Sequence, residues 1–269
     1  MALLVSPAPY LGTDREGVVS EICARIRRLA PDIVGLCEVF SDGERTEIST
    51  ALQDLYPFVR EGPDEDDLES DGGLLLLSRF PLLAVNDFIF RDCDGVDCLA
   101  NKGILHIRVR GPSWPSALDV LYSHTQNIST SNGQSALYAQ LEKMRDFVQR
   151  HADIGLPALI MGDLNIPATT SVHYRTLLNT LGGFRDAWTL AGNAVTSGPT
   201  YVADNNFYDD TADRPGSDER LDYILLRPGS SACPVTADVE VMRFTYNGRF
   251  ISDHFGVLAV FDPIAVVDP

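Results

Sequence analysis

The chain has 269 residues, 45% of them hydrophobic, which suits one large α/β domain spanning 1–269 better than two small ones. Its 38 acidic residues against 21 Lys and Arg leave a net charge of −17, a field that repels a polyphosphate backbone and disfavours nucleic acid as a partner. No apolar run approaches the roughly 20 residues of a membrane span, and residues 1–12 lack the basic start and apolar stretch of a signal peptide, so the expectation is a soluble chain, cytosolic or the mature form of a secreted protein.

Residues 13–28 carry Thr13 and Glu16 in capping-box spacing, followed by Val19, Ile22, Cys23, Ile26 and Leu29 at helical intervals, which predicts an amphipathic helix. Residues 32–39 then read as a buried strand that ends on a lone carboxylate, Glu38, with Cys37 as a buried thiol. A second helix is expected over 44–56, an acidic loop over 61–71 and a strand over 74–78. The five Cys leave at least one unpaired, and Cys93 and Cys98 are close enough to bridge across a loop. Strands over 103–109 and 118–123 flank a Gly-Pro-Ser-Trp-Pro turn, a helix over 135–150 follows, and Pro157 leads into a strand over 158–161. A polar loop over 203–219 precedes strands at 221–226, 239–243 and 257–261. Strands in adjacent, mixed order with few helices between them point to a layered α/β sandwich rather than a strictly alternating doubly wound sheet.

Polar groups recur where these apolar runs stop: Glu38, Asp71, His124, Asp163 with Asn165, Asp222, and Asp253 with His254. A hard cation binds through one or two carboxylates plus water and substrate phosphate, so Glu38 fits a metal ligand, and equally a surface acid near a turn. Asp163 and Asn165 lie two residues apart, on the same side of an extended chain, where both can face one phosphate or simply form an Asx turn. A His beside an acid, as at Asp253-His254, suits general acid or base work but also occurs as a plain hydrogen-bonded pair. His106, His151 and His173 have no acid neighbour in sequence and read as structural. Lys102 fits a phosphate contact or a loop cap. Trp114 and Phe207-Tyr208 are aromatics suited to an interface or to packing.

Taken in order, Glu38 in PDIVGLCEV, Gly162-Asp163-Leu164-Asn165, Leu221-Asp222-Tyr223 and Ser252-Asp253-His254 resemble the successive signatures of the DNase I-like endonuclease/exonuclease/phosphatase superfamily, across nearly the whole chain. Asp71-Gly72-Gly73, Ser78-Arg79-Phe80-Pro81, the segment Cys98 to Gly103, Ser123-His124-Thr125-Gln126 and Thr200-Tyr201 are similar to segments of neutral sphingomyelinase C. The resemblance implies an α/β (α+β) four-layered sandwich, two packed mixed β-sheets flanked by helices. It further implies a Mg²⁺-dependent phosphodiesterase, with Mn²⁺ or Co²⁺ as substitutes, that hydrolyses sphingomyelin to ceramide and phosphocholine. By the same resemblance Glu38 ligates the metal, Asp163 and Asn165 orient water and phosphate, and His254 is the general base held by Asp222. His124 binds the phosphate and is oriented by Asp71, Lys102 contributes to substrate binding, and Asp253 completes the set near the metal. The implied partner is a phospholipid surface engaged peripherally, by a monomer.

The chain departs from the superfamily pattern in one respect: no Asn precedes Asn86, so the first-strand Asn is missing. Pro7 and Pro9 are also hostile to central pairing in a first strand over 1–12. Either the chain starts inside that strand or the site has diverged. A nuclease, another phospholipase C, or a catalytically silent binding module that keeps the fold are the competing expectations.

Overall fold

The apolar runs of the sequence become the central strands of two sheets, because strands covered on both faces need no polar alternation. The computed structural model describes residues 2–7, 15–64, 71–207, 216–230 and 232–265; for 2–7, 15, 16, 233 and 263–265 only the backbone is described. The first sheet runs, in spatial order, β11 (Ala232–Met242), β14 (Gly256–Ala265), β1 (Ala2–Pro7), β2 (Ile33–Cys37), β4 (Leu75–Ser78) and β3 (Phe58–Glu61). The second runs β5 (Leu82–Ile89), β6 (Gly103–Val109), β7 (Leu118–Ser123), β8 (Ala158–Asp163), β10 (Asp222–Arg227) and β9 (Arg185–Asp186). A separate short ribbon pairs β12 (Thr245–Tyr246) with β13 (Arg249–Phe250). The helices are α1 (Arg15–Leu29), α2 (Asp42–Leu52), α3 (Ser131–His151), α4 (Ser171–Thr180) and the single turn α5 (Ala187–Leu190).

Successive strand residues point to opposite faces, and this sorts the core into three seams. Ile33 and Cys37 of β2 and Leu76 of β4 meet Leu105, Ile107, Tyr122 and Met161 from the other sheet. Val34 and Leu36, on the reverse face of β2, pack with Val19, Ile22 and Ile26 of α1 and Ile48 and Leu52 of α2. On the outer face of the second sheet, Ile104, Leu121, Ile160 and Leu225 pack with Leu137, Leu141 and Met144 of α3 and Leu177 of α4. The result is the expected four layers, helix, sheet, sheet, helix. The two sheets touch closely at Gly35, where a Cβ would lie 2.6 Å from Met161 Cε and 2.7 Å from Tyr122 Cε2.

Several local expectations need correction. β1 is a central strand, antiparallel to β14 and parallel to β2, despite Pro7. The proline is tolerated because it is the last residue of the strand, opposite Cys37, where few further pairings would need its missing N–H. Pro9 and the Thr13 cap lie outside the described residues. β3 and β5 were not expected, and β11 begins at Ala232 rather than 239 because Pro234 sits on an edge strand. Helix α2 stops at Leu52, and Tyr56 turns back to donate its hydroxyl to Pro31 O at 2.8 Å. Helix α3 starts at Ser131 because Thr130 caps it, Oγ1 accepting from Gly133 N at 2.9 Å.

Candidate active site

Strand register brings the singled-out residues together at one end of the sandwich. β8 and β10 pair antiparallel with Asp163 opposite Asp222, so two carboxylates become neighbours. β7 runs parallel to β8 with Tyr122 opposite Met161, which carries His124, two residues on, alongside Asp163. Gly162 makes this approach possible: its φ is +142°, and a Cβ there would lie 1.8 Å from Ser123 O. Glu38, directly after β2, and Asn165 both hold left-handed backbone, with φ of 64° and 50°. Such conformations are strained for residues other than glycine and collect at functional sites. Asn165 N donates to Asp163 Oδ1 at 2.8 Å, and its side-chain amide donates to Thr125 O at 2.9 Å.

A continuous chain of polar atoms results. His254 Nδ1 lies 2.9 Å from Asp222 Oδ2 and 3.9 Å from Asp163 Oδ2. His124 Nε2 lies 3.7 Å from Asp163 Oδ2 and 4.0 Å from Glu38 Oε1. Lys102 Nζ, almost wholly buried, sits 3.1 Å from His124 Nε2, 2.8 Å from Asp97 Oδ1 and 3.0 Å from Thr125 O. The loop carrying Asp253 and His254 is fixed by Asn205, whose amide donates to Ser252 O and Asp253 O, both at 2.9 Å. Tyr201 forms a bridge with His254, and the two rings lie 4.8 Å apart.

The electrostatics are those of a site short of positive charge. Burial, reinforced by Asp253, pushes Glu38 up to about 7, and burial with Asp222 as neighbour pushes Asp163 up to about 7. Burial works against a charged His254, but Asp222, Asp163 and Asp253 outweigh it and raise its pKa well above the ordinary range. Burial, then Lys102 and His254, hold His124 well below its usual value. A neutral His124 that accepts from Lys102 at Nε2 carries its proton on Nδ1, which is buried without a hydrogen-bond partner among the described residues, as is Asp222 Oδ1. Asp163, Asp222 and His254 offer ligand atoms that all lie within 4.8 Å of one another.

Not every expected partnership is present. Asp71, expected to orient His124, instead contacts Arg45 Nη1 and accepts from Gly73 N at 2.7 Å. Arg45 also donates to Val39 O at 2.8 Å, so Asp71 braces the turn after Glu38. Lys102 is the group that bonds His124. His106 has an acid neighbour across the sheet, Asp119 at 2.9 Å, within a buried cluster at the other end of β7 from His124. Trp114 is buried edge-on against Phe80 with ring centroids 4.9 Å apart, and Tyr208 lies outside the described residues. The site roles of Asn205, Asp97 and Arg45 had no signal in the sequence, because each depends on a contact with a distant segment. Tyr201 is singled out in the sequence by resemblance alone.

The chain is similar to several known proteins. Sphingomyelinase C from Bacillus cereus is 24% identical over 272 residues, covering 85% of this chain and 77% of that protein. A structure of beta toxin from Staphylococcus aureus, a two-site mutant with bound magnesium ions, superposes with a TM-score of 0.70 at 18% identity, covering 96% of this chain and 98% of that one. D. rerio TDP2 complexed with a single-strand DNA product gives 0.77 at 18% identity, covering 97% and 98%. These likenesses show a shared fold. Residues 11–254 match the model of one family, and the chain therefore belongs to the Endonuclease/Exonuclease/phosphatase family.

Proposed function

We propose that this chain is a divalent-metal-dependent phosphodiesterase that cleaves sphingomyelin to ceramide and phosphocholine, with its catalytic groups within one domain over 1–269. The observation that carries the reading is the His254–Asp222 contact of 2.9 Å, with Asp163 Oδ2 3.9 Å from His254 Nδ1 and 3.7 Å from His124 Nε2, which in turn lies 3.1 Å from Lys102: an imidazole base and a cationic donor on either side of one carboxylate. In this reading Asp222 holds His254 by Nδ1, and the neutral form of the imidazole, which grows as pH rises towards its elevated pKa, takes a proton from the attacking water at Nε2. Asp163 and Asn165 position the water and a phosphate oxygen, while Lys102, with His124, faces the charge that develops on the phosphoryl group. Asp253 lies beside Glu38 and adds to the negative field there.

The side chains present fit a hard cation. Glu38 and Asp163 are displaced upward to about 7 by burial and by neighbouring carboxylates, Asp253 and Asp222, which His254 and Lys102 offset only in part. Of the two places, the Glu38 end suits Mg²⁺ better than the Asp163, Asp222 and His254 cluster, whose imidazole is already bonded to Asp222 and which offers nitrogen to an ion that prefers oxygen. When bound, such an ion supplies electrostatic stabilisation of the phosphoryl oxygens. The relatives' sphingomyelinase activity supports sphingomyelin as substrate, and the net charge of −17 opposes a nucleic-acid substrate. The test is phosphocholine release from sphingomyelin with Mg²⁺ and with EDTA, in wild type and His254→Ala, with phosphatidylcholine and single-stranded DNA beside it. Metal-dependent release lost in the variant is the expected result. Cleavage of another substrate alone overturns the specificity, and no cleavage of any overturns the enzyme.

A further inference from the structure

Between β5 and β6 the chain makes a small closed turn: Cys93 and Cys98 are disulfide-bonded, and Gly95–Leu99 forms one turn of 3₁₀ helix. Its side chains are arranged opposite to those of an ordinary acidic loop. All three aspartates are tied to the protein. Asp92 is paired with Lys143, Asp94 Oδ2 accepts from Thr130 Oγ1 at 2.5 Å, and Asp97 bonds Lys102 at 2.8 Å and Asn127 N at 2.8 Å. Gln126 clamps the turn further, accepting from Asp94 N at 2.9 Å and donating to Asp94 O at 3.2 Å. The apolar residues point the other way: Val96 is 81% and Leu99 67% exposed. A disulfide and a hydrogen-bonded frame thus hold two aliphatic side chains in water, where they cost free energy unless something apolar covers them.

We propose that this turn is the surface by which the protein seats on a zwitterionic phospholipid bilayer, with Val96 and Leu99 entering the acyl boundary. The inference rests on the reading of the site as one that acts on a phospholipid. Position supports it, since Asp97 bonds the same Lys102 that bonds His124, placing the turn one side chain from the candidate active site. Charge selects the lipid: a net charge of −17 opposes an anionic surface, and the turn offers no basic cluster among residues 92–99. Rigidity helps too, because a pre-ordered turn loses little conformational entropy on docking.

The experiment is flotation of the full chain with phosphatidylcholine vesicles at millimolar lipid, comparing wild type, Val96→Ser/Leu99→Ser, and Ile154→Ser. Ile154 is 79% exposed but lies beyond the C-terminal end of α3, about two helical turns past Lys143, the α3 residue that pairs with Asp92 of the turn. Turnover of a water-soluble monomeric phosphodiester is measured on the same three proteins. The double variant is expected to bind vesicles tenfold or more weakly, with Ile154→Ser within about twofold of wild type and soluble-substrate turnover unchanged. Wild type that fails to float, equal flotation of the double variant, or binding that strengthens with phosphatidylserine each overturns the proposal. So does a wild-type dimer that the double substitution dissolves, which makes the turn a self-association surface. If flotation follows the expected pattern while no phosphodiester is cleaved, the proposal stands and the enzymatic reading falls.

Discussion

Asp222→Asn isolates the role of the His254 partner, because the buried environment leaves the amide two orientations and penalises both. With its oxygen toward His254, the NH₂ occupies the place of Oδ1, which is buried with no hydrogen-bond partner among the described residues, and an unsatisfied donor there costs about 1–3 kcal/mol. With its NH₂ toward His254, it donates to Nδ1, 2.9 Å away, and forces the imidazole proton onto Nε2, the nitrogen that must be free to act as base. The second orientation satisfies more groups and is expected to win. Loss of a positioned general base lowers turnover by about 10²- to 10⁴-fold, or about 3–5 kcal/mol in the barrier. The assay is metal-dependent phosphocholine release at saturating substrate, with thermal melting to confirm folding. The double variant with His254→Ala should be no slower than His254→Ala alone, since both changes remove one unit of function. Removing the Asp222 charge should also lower the His254 pKa, which NMR titration reads without any substrate. Turnover within threefold of wild type, with the imidazole pKa lowered, would refute the assignment of His254 as the base.

Lys102→Met should cut turnover about 10²- to 10³-fold and raise the His124 pKa, because Lys102 is among the groups holding it down; a loss of melting temperature at unchanged kcat would mark Lys102 as a loop cap instead. Millimolar Mg²⁺ should raise the melting temperature, by about 2.7 kcal/mol of stabilisation at 100 times Kd, and Glu38→Gln should abolish the shift. Because protons compete for Glu38 and Asp163, both displaced upward to about 7, that Mg²⁺ effect should weaken as pH falls below about 7, as melting curves from pH 5 to 8 will show. Asp119 is fully buried and accepts from His106 at 2.9 Å, Arg108 at 2.8 and 3.0 Å and Asp153 N at 2.7 Å; although burial alone would raise its pKa, these partners hold it below the ordinary value. A depressed carboxylate contributes stability that is present above its unfolded value of about 4 and lost as pH falls through the folded one, so Asp119→Ala should cost about 3–5 kcal/mol at pH 7 and flatten the acid limb of the stability curve in denaturant titrations.

What the sequence made legible, and what it hid, divides along chain distance. Glu38, Asp163 and Asp222 could be singled out because a carboxylate at the end of an apolar strand is out of place locally, and that anomaly needs no knowledge of the fold. The helices α1 and α3 could be read because their buried residues recur within two turns. β5 was missed because it carries Asn86 and Asp87, residue types depleted in strands, whereas in the structure Asn86 bonds His106 at 3.0 Å and Asp87 bonds Arg60 at 2.7 Å, contacts 20 and 27 residues away. The same distance explains why Asp71 was assigned to His124. Both have polar partners in the structure, but Arg45 and Lys102 answer them: Arg45 carries no local signal, and Lys102 could be singled out as a phosphate contact but not as the partner of His124. Local anomaly can therefore nominate a catalytic group, while the group that sets its protonation is chosen by sheet register. The pairing of Asp163 with Asp222 is the clearest instance: a one-residue slip of β10 against β8 would turn Asp222 to the opposite face and leave His254 without its carboxylate.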